Sequence, residues 1–344
     1  MPKAKRIFIV ADIKNKPIKV FVDQMPKLAK GFIRLGQDVR TFSYCNVLWQ
    51  LSSFKSRTLS NLLYKPKVDG LLAELVESYQ PDIIYINFPK FFDVDSIKRL
   101  REVAPNAVLI GSDGDPWPKL QHGRIETAKE LDILMATNDG EFLQDYRDAG
   151  VPNCVFMPNL CDPDTDHRYE VPEEWNTDIL WTGTASHHAD TSESFREKLL
   201  IELADRDNSA IYGCFGRPQI GGIDYFYAIS GAKIGVNVNA CRPVRLYHSD
   251  RLTHYLACGT FVMARRIPDG DLLFADGMHL RYFDTIEEFF ELADWYLKND
   301  TERRKIADAG MKWTHEQFNC VKIAGYILEL AEKGCYSAPW FSRA

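Results

Sequence analysis

The chain has 344 residues, 45% of them hydrophobic and 26% charged, with a formal net charge of -6. That length is more than one compact core usually holds, so two domains of roughly 150–200 residues are expected, and the composition excludes a disordered chain. The acidic balance gives no general pull towards nucleic acid or anionic membrane, so any such contact must come from a local basic patch. No apolar run approaches the ~20 residues that a membrane span needs.

The chain opens on Met1-Pro2-Lys3-Ala4-Lys5-Arg6, then Ile7-Phe8-Ile9-Val10-Ala11 and Asp12. The apolar run is too short for a signal peptide and reads as a first buried strand. Further short apolar runs follow at 39–44, 83–86, 108–111, 133–136 and 154–157. Between the first two, Phe21, Met25, Leu28, Ala29, Phe32 and Leu35 repeat at helical spacing, and Gly36 stands where a helix should stop. Strand and helix alternating at about 25–30 residues indicate βαβ units and a parallel sheet.

The second half repeats the scheme, with candidate strands at 178–182, 210–212, 234–238, 261–263 and 280–283. Thr285 and Glu288 form a capping-box pair ahead of the apolar face Ile286, Phe289, Phe290, Ala293 and Leu297, and Asp300 is a candidate cap for the next helix. Between the halves, Pro158, Pro163 and Pro172 with Asp162, Asp164 and Asp166 have the chemistry of a stiff linker. The expected domains are 1–165 and 173–325, followed by a tail, 326–344, whose Trp340 and Phe341 call for a packing partner. The fold class is therefore α/β, two Rossmann-like doubly wound domains facing a cleft, with ligands at the carboxyl ends of the strands. The eight cysteines form no CxxC pair and read as reduced thiols of a cytoplasmic protein, with a peripheral membrane position left open.

The densest chemical signal is Ile234–Gly259. A strand ends in Asn237 and Asn239, a loop carries Arg242 and Arg245, and Ser249, Asp250, Arg251 and His254 open a helix that stops at Gly259. A helix start with an arginine beside it suits a diphosphate, while a surface helix capped by Ser249 or Asp250 is the plainer reading. The second signal is Gly111-Ser112-Asp113-Gly114-Asp115-Pro116-Trp117 at a strand end. Asp113 there fits a general base, with Asp115 the second choice, against a solvated Asp-Gly turn. His187 and His188 with Asp190 lack a third ligand, so no metal is expected; a phosphate contact from His187 suits them better. The third signal is 46–68, where Lys55, Arg57, Lys65 and Lys67 interleave with Trp49, Leu51, Phe54, Leu62, Leu63 and Tyr64 and no acid occurs. It reads as an amphipathic helix pair on the first domain, as an acceptor surface, or as a shallow membrane contact.

The frame Ser249-Asp250-Arg251-Leu252-Thr253-His254-Tyr255-Leu256-Ala257-Cys258-Gly259 resembles the second domain of GT-B glycosyltransferases, in particular the spore-maturation CgeB-type group. The resemblance extends through Trp181-Thr182-Gly183-Thr184, Ile211-Tyr212-Gly213 and residues 284–313, so it covers most of the second domain. The first domain matches loosely, through Pro81-Asp82-Ile83-Ile84, Thr137-Asn138 and Gly150. The resemblance implies a sugar transferred from a nucleotide-sugar donor, itself a substrate, to a hydroxyl acceptor, with no cofactor and no metal. Arg251 would meet the donor diphosphate, Gly183 and Thr184 would lie near the phosphates, and Gly213, following Tyr212, near the base. His254 stands where the family has a ribose-binding glutamate, a departure, since an imidazole offers one acceptor where a carboxylate offers two. Asp113 is placed like the catalytic aspartate of phage DNA β-glucosyltransferases, with Lys55, Arg57 and Asp115 on the acceptor side. The acceptor is open between a polysaccharide, a lipid-linked glycan and a modified nucleic acid. A nucleotide-sugar epimerase of the same architecture and an inactive nucleotide-sugar-binding protein are the alternatives.

Overall fold

A computed structural model describes residues 3–13, 22–54, 56–87, 92–114, 116, 122–185, 195–239 and 243–341, the side chains of Arg57 and His122 excepted. The chain divides into two compact units, one containing Met1–Asn15, Asp23–Pro158 and Cys320–Phe341, the other Asn159–Asn319.

In the first unit the elements alternate as β1 (Arg6–Ala11), α1 (Gln24–Arg34), β2 (Asp38–Ser43), α2 (Tyr44–Leu51), α3 (Arg57–Tyr79), β3 (Ile83–Asn87), α4 (Val94–Val103), β4 (Val108–Asp113), α5 (His122–Lys129), β5 (Ile133–Ala136), α6 (Glu141–Asp148) and β6 (Cys154–Phe156). The sheet order is β2-β1-β3-β4-β5-β6, and the pairings are parallel. Parallel strands covered by helices on both faces are apolar along their whole length, which is why Ile7, Phe8, Ile9, Val10 and Ala11 are all buried. Helix α1 starts where Asp23 accepts from the Met25 N–H and stops at Gly36, whose φ of 76° lies in the left-handed region.

The second unit has β7 (Thr177–Thr182), α7 (Phe195–Ala204), β8 (Ser209–Tyr212), α8 (Ile223–Gly231), β9 (Ala232–Asn237), α9 (Asp250–Ala257), β10 (Phe261–Arg265), β11 (Arg281–Phe283), α10 (Ile286–Lys298) and α11 (Asp300–Gln317). Its parallel sheet runs β11-β10-β9-β7-β8. The order reverses between β7 and β9, as it does between β1 and β3 in the first unit, and such switch points open a crevice at the strand ends. Thr285 caps α10 by accepting from the Glu288 N–H, while the Glu288 carboxylate accepts from Asp284, one residue upstream of the reciprocal partner of a capping box. Asp300 is not the cap of α11. Asn299 holds that place, and Asp300 sits in the first turn paired with Arg303 and Arg304.

Helix α12 (Cys320–Lys333) leaves the second unit and packs on α1. The approach is so close that a Cβ on Gly31 would meet the Cys320 carbonyl oxygen, so only glycine fits. The tail stays with the same unit: Tyr336 donates to the Phe156 carbonyl, and the buried Trp340 stands edge-on to Tyr326. The divisions thus fall at 158/159 and 319/320, where the sequence suggests 165 and 325. No helix among the described residues is long and apolar enough to cross a membrane.

Candidate functional site

The switch point of the second sheet is occupied by one side chain. Arg251, in the first turn of α9, donates from Nη1 to the Thr182 carbonyl at the end of β7 (2.8 Å) and from Nη2 to the Val238 carbonyl past the end of β9 (2.9 Å). Nη2 also reaches Asn237 Oδ1 at 3.3 Å. The guanidinium carbon lies 3.8 Å from the centroid of the buried Trp181 ring, a cation–π contact. Burial pulls the Arg251 pKa below the usual arginine value, and the nearby tyrosines Tyr255, Tyr225 and Tyr247 oppose the shift. Among the described residues no carboxylate pairs with Arg251, and its Nε has no partner, nor has Asn237 Nδ2 beside it. A half-buried cation held by carbonyls and a ring, with no counter-ion among the described residues, is a place for an anion.

The backbone around it is shaped to fit. Gly183 has φ 133°, and a Cβ there would stand 2.8 Å from Arg251 Nη1. Its N–H donates to the Tyr212 carbonyl at 2.8 Å, and its carbonyl accepts from Trp181 Nε1 at 3.0 Å. Gly213 packs against it so tightly that a Cβ would come 2.9 Å from the Gly183 oxygen. Ser249 stands at the N-cap of α9 but does not cap it with its side chain; its Oγ donates to Asn237 Oδ1 at 2.9 Å, and its N–H to Asn239 Oδ1 at 3.2 Å. Gly183, Tyr212, Gly213, Asn237, Ser249 and Arg251 therefore belong to one cluster, with Thr184 exposed beside it. Trp181, the platform under Arg251, is in the sequence only one member of the Trp181-Thr182-Gly183-Thr184 match, with no role attached to it. Arg196 of α7 adds a second guanidinium 5.6 Å from the same ring and donates to the Ala185 carbonyl. His187, His188, Asp190 and Arg242 lie outside the described residues. Arg245 is turned to Asp269, 2.6 Å away.

His254 is buried one turn further along α9. Its Nδ1 is 3.3 Å from the Tyr225 hydroxyl of α8, and the rings of Tyr225 and Phe226 stand edge-on to it. That geometry makes it a link between α8 and α9.

In the first unit Asp113 ends β4 as a buried carboxylate. It accepts from Arg124 Nε at 3.1 Å, from Arg124 Nη2, and from the Tyr146 hydroxyl at 2.8 Å. Burial works against the charge on Arg124, but Asp113 outweighs it and raises the guanidinium pKa. Asp115, Lys55 and the Arg57 side chain lie outside the described residues. Lys65 is turned inward, bonded to Asp69, Asp93 and Ser96. Among the described residues no three His, Cys, Asp or Glu side chains are grouped to hold a metal ion.

Residues 196–329, from α7 into α12, match the family model described as glycosyl transferase-like. No curated protein matches the chain. Among solved structures, Anabaena HepE in complex with UDP and glucose superposes with a TM-score of 0.64 at 13% identity, covering 96% of this chain and 100% of that one. Sucrose-phosphate synthase from Thermosynechococcus elongatus gives 0.61 at 12% identity, over 96% and 99% of the two chains. A putative UDP-N-acetylglucosamine 2-epimerase from Listeria monocytogenes gives 0.57 at 12% identity, over 96% and 97%. The two parallel sheets with their flanking helices are the α/β fold of GT-B glycosyltransferases.

Proposed function

We propose that the second unit holds the diphosphate of a nucleotide-sugar against Arg251 and that the protein transfers the sugar to a hydroxyl acceptor, in the manner of the CgeB-type group that its α9 frame resembles. The observation that carries this reading is the half-buried Arg251 at the β7–β9 switch point, with no carboxylate partner among the described residues and with an unpartnered Nε. In sugar transfer, negative charge grows on the leaving diphosphate. A preorganised cation and the positive end of α9 meet that charge without reorganisation, and no metal is needed for the scheme. The match of 196–329 to a glycosyl transferase-like family supports the same reading.

The acceptor is assigned to the first unit. There the paired Asp113 favours a role in positioning Arg124 and Tyr146 over that of a base. HepE has been captured with UDP-glucose, which makes UDP-glucose the first probe. A thermal-shift panel of UDP, GDP, ADP and their sugar conjugates tests donor binding, because a ligand that binds only the folded state raises the melting temperature. Donor consumption then separates the activities. A transferase consumes donor when acceptor is supplied, an epimerase converts it without acceptor, and a binding protein does neither. No shift with any nucleotide would overturn the proposal.

A further inference from the structure

Helix α3 is apolar on two sides. Val68, Leu72 and Val76 face the core of the first unit. On the outside Leu59, Leu62 and Leu63 are 44%, 72% and 55% exposed, and Phe54 in the preceding loop is 43% exposed. Leu59, Leu62 and Leu63 are spaced by three and four residues, so they form one stripe, which the exposed Pro66 continues. Side chains of this size grouped at one helix end mark a surface that meets something apolar.

The charge around the stripe says what. Between Asn46 and Val68 the sequence places Lys55, Arg57, Lys65 and Lys67 and no acid, in a chain of net charge -6. Lys65 is neutralised by Asp69 at 2.5 Å and Asp93 at 3.1 Å, whereas Lys67 is exposed. The exposed acids of α3, Glu74 and Glu77, come only in its second half. The exposed Lys67 thus lies beside the stripe, and the exposed acids of α3 lie further along the helix, where Leu71 and Leu75 are less exposed than Leu62 and Leu63.

We propose that this end of α3, with the loop before it, docks tip-first on an anionic lipid bilayer. The leucines and Phe54 enter the boundary between headgroups and acyl chains, and the cations meet lipid phosphates. A second copy of the chain suits the patch less well, because a two-fold contact would set its cations against one another.

The test is co-sedimentation of the full chain with phosphatidylcholine vesicles with and without about one-third phosphatidylglycerol. Binding is expected only with the anionic lipid and should weaken as salt rises. Leu62→Ser with Leu63→Ser should lower partitioning by about tenfold. Replacing Lys55, Arg57 and Lys67 by Gln should lower it by on the order of fivefold per cation. The wild-type lipid preference reads out the proposal without any variant. Absence of binding, equal binding to neutral vesicles, or partitioning untouched by both variants would overturn it. So would a dimer in sedimentation velocity that the leucine pair dissolves.

Discussion

Replacing Arg251 by alanine separates its two tasks. In the protein alone the side chain joins the ends of β7 and β9 through Thr182, Val238 and Asn237 and lies over Trp181. Its loss leaves three acceptors without that donor, at about 1–3 kcal/mol for a buried group that water does not reach. Towards a ligand, a charge-assisted hydrogen bond to phosphate contributes about 1.5–3 kcal/mol, so UDP should bind roughly 10- to 150-fold more weakly. Arg251→Lys keeps the charge but not the fork. One ammonium cannot present the paired, oppositely directed donors that reach both strand ends, so Lys should restore only part of the affinity and little of the stability. Calorimetry with UDP and competition by uridine make the measurement specific, since uridine lacks the phosphates and should lose less than about threefold. Equal losses for UDP and uridine, or unchanged UDP affinity in the folded variant, would refute the placement of the diphosphate at Arg251.

Asp113→Asn should lower the melting temperature and change kcat by less than about tenfold, because it breaks a buried ion pair; a 10²–10⁴ loss of kcat at unchanged stability would instead make Asp113 the base. His254→Ala should destabilise the protein by about 1–3 kcal/mol through the lost contact with Tyr225 while changing UDP affinity little, and a large affinity loss at unchanged stability would put His254 at the ribose. Burial holds the fully enclosed His248 at a pKa of about 4, below its ordinary 6.5, although its bond to the Leu246 carbonyl opposes the shift. The folded state keeps it neutral while the unfolded chain protonates it. Its stability contribution is therefore complete above about pH 6.5 and is lost as the pH falls towards 4, by about 3 kcal/mol. Urea titrations of His248→Gln should show a flatter decline of stability across that window, and an unchanged decline would refute the assignment.

The strands were legible because parallel strands covered on both faces are written as short apolar runs, from Ile7–Val10 to the run ending at Phe283. The α10 start was legible because capping is a local code, and the place of Arg251 in the first turn of a helix because Ser249 and Asp250 mark a helix start soon after a strand. What stayed hidden is set by distance along the chain. Asp113 looked available because its partners, Arg124 and Tyr146, stand 11 and 33 residues away on other elements. The contact of His254 with Tyr225 was hidden because Tyr225 is 29 residues upstream, and neither residue marks the other in sequence. The return of α12 to the first unit depends on Gly31, a glycine whose need appears only once the Cys320 carbonyl lies against it. Lys65 is a different case: its partner Asp69 is one turn on in the same helix, so the pair was in view, and the run of cations around it drew attention to charge and away from pairing.

The position of Arg251 also explains why the site should favour an oxygen-rich anion over other ligands. At a switch point the neighbouring strands connect away from each other, so the carbonyls of Thr182 and Val238 lie beyond the parallel ladder between β7 and β9. A guanidinium can satisfy both because its donors are fixed in one plane, and the Trp181 ring holds that plane in place. Two of the three nitrogens are used in this way, leaving Arg251 Nε with Asn237 Nδ2 beside it, both buried donors without partners. Each such donor destabilises the ligand-free protein by about 1–3 kcal/mol, a cost already carried before any ligand arrives. A ligand that offers only acceptors removes it on binding, whereas one that offers donors does not. Phosphate oxygens are pure acceptors and carry the compensating charge. Under the proposed function, the same cluster that closes the sheet would be preorganised for a diphosphate, and ordering costs that would otherwise weaken binding would be met by the fold.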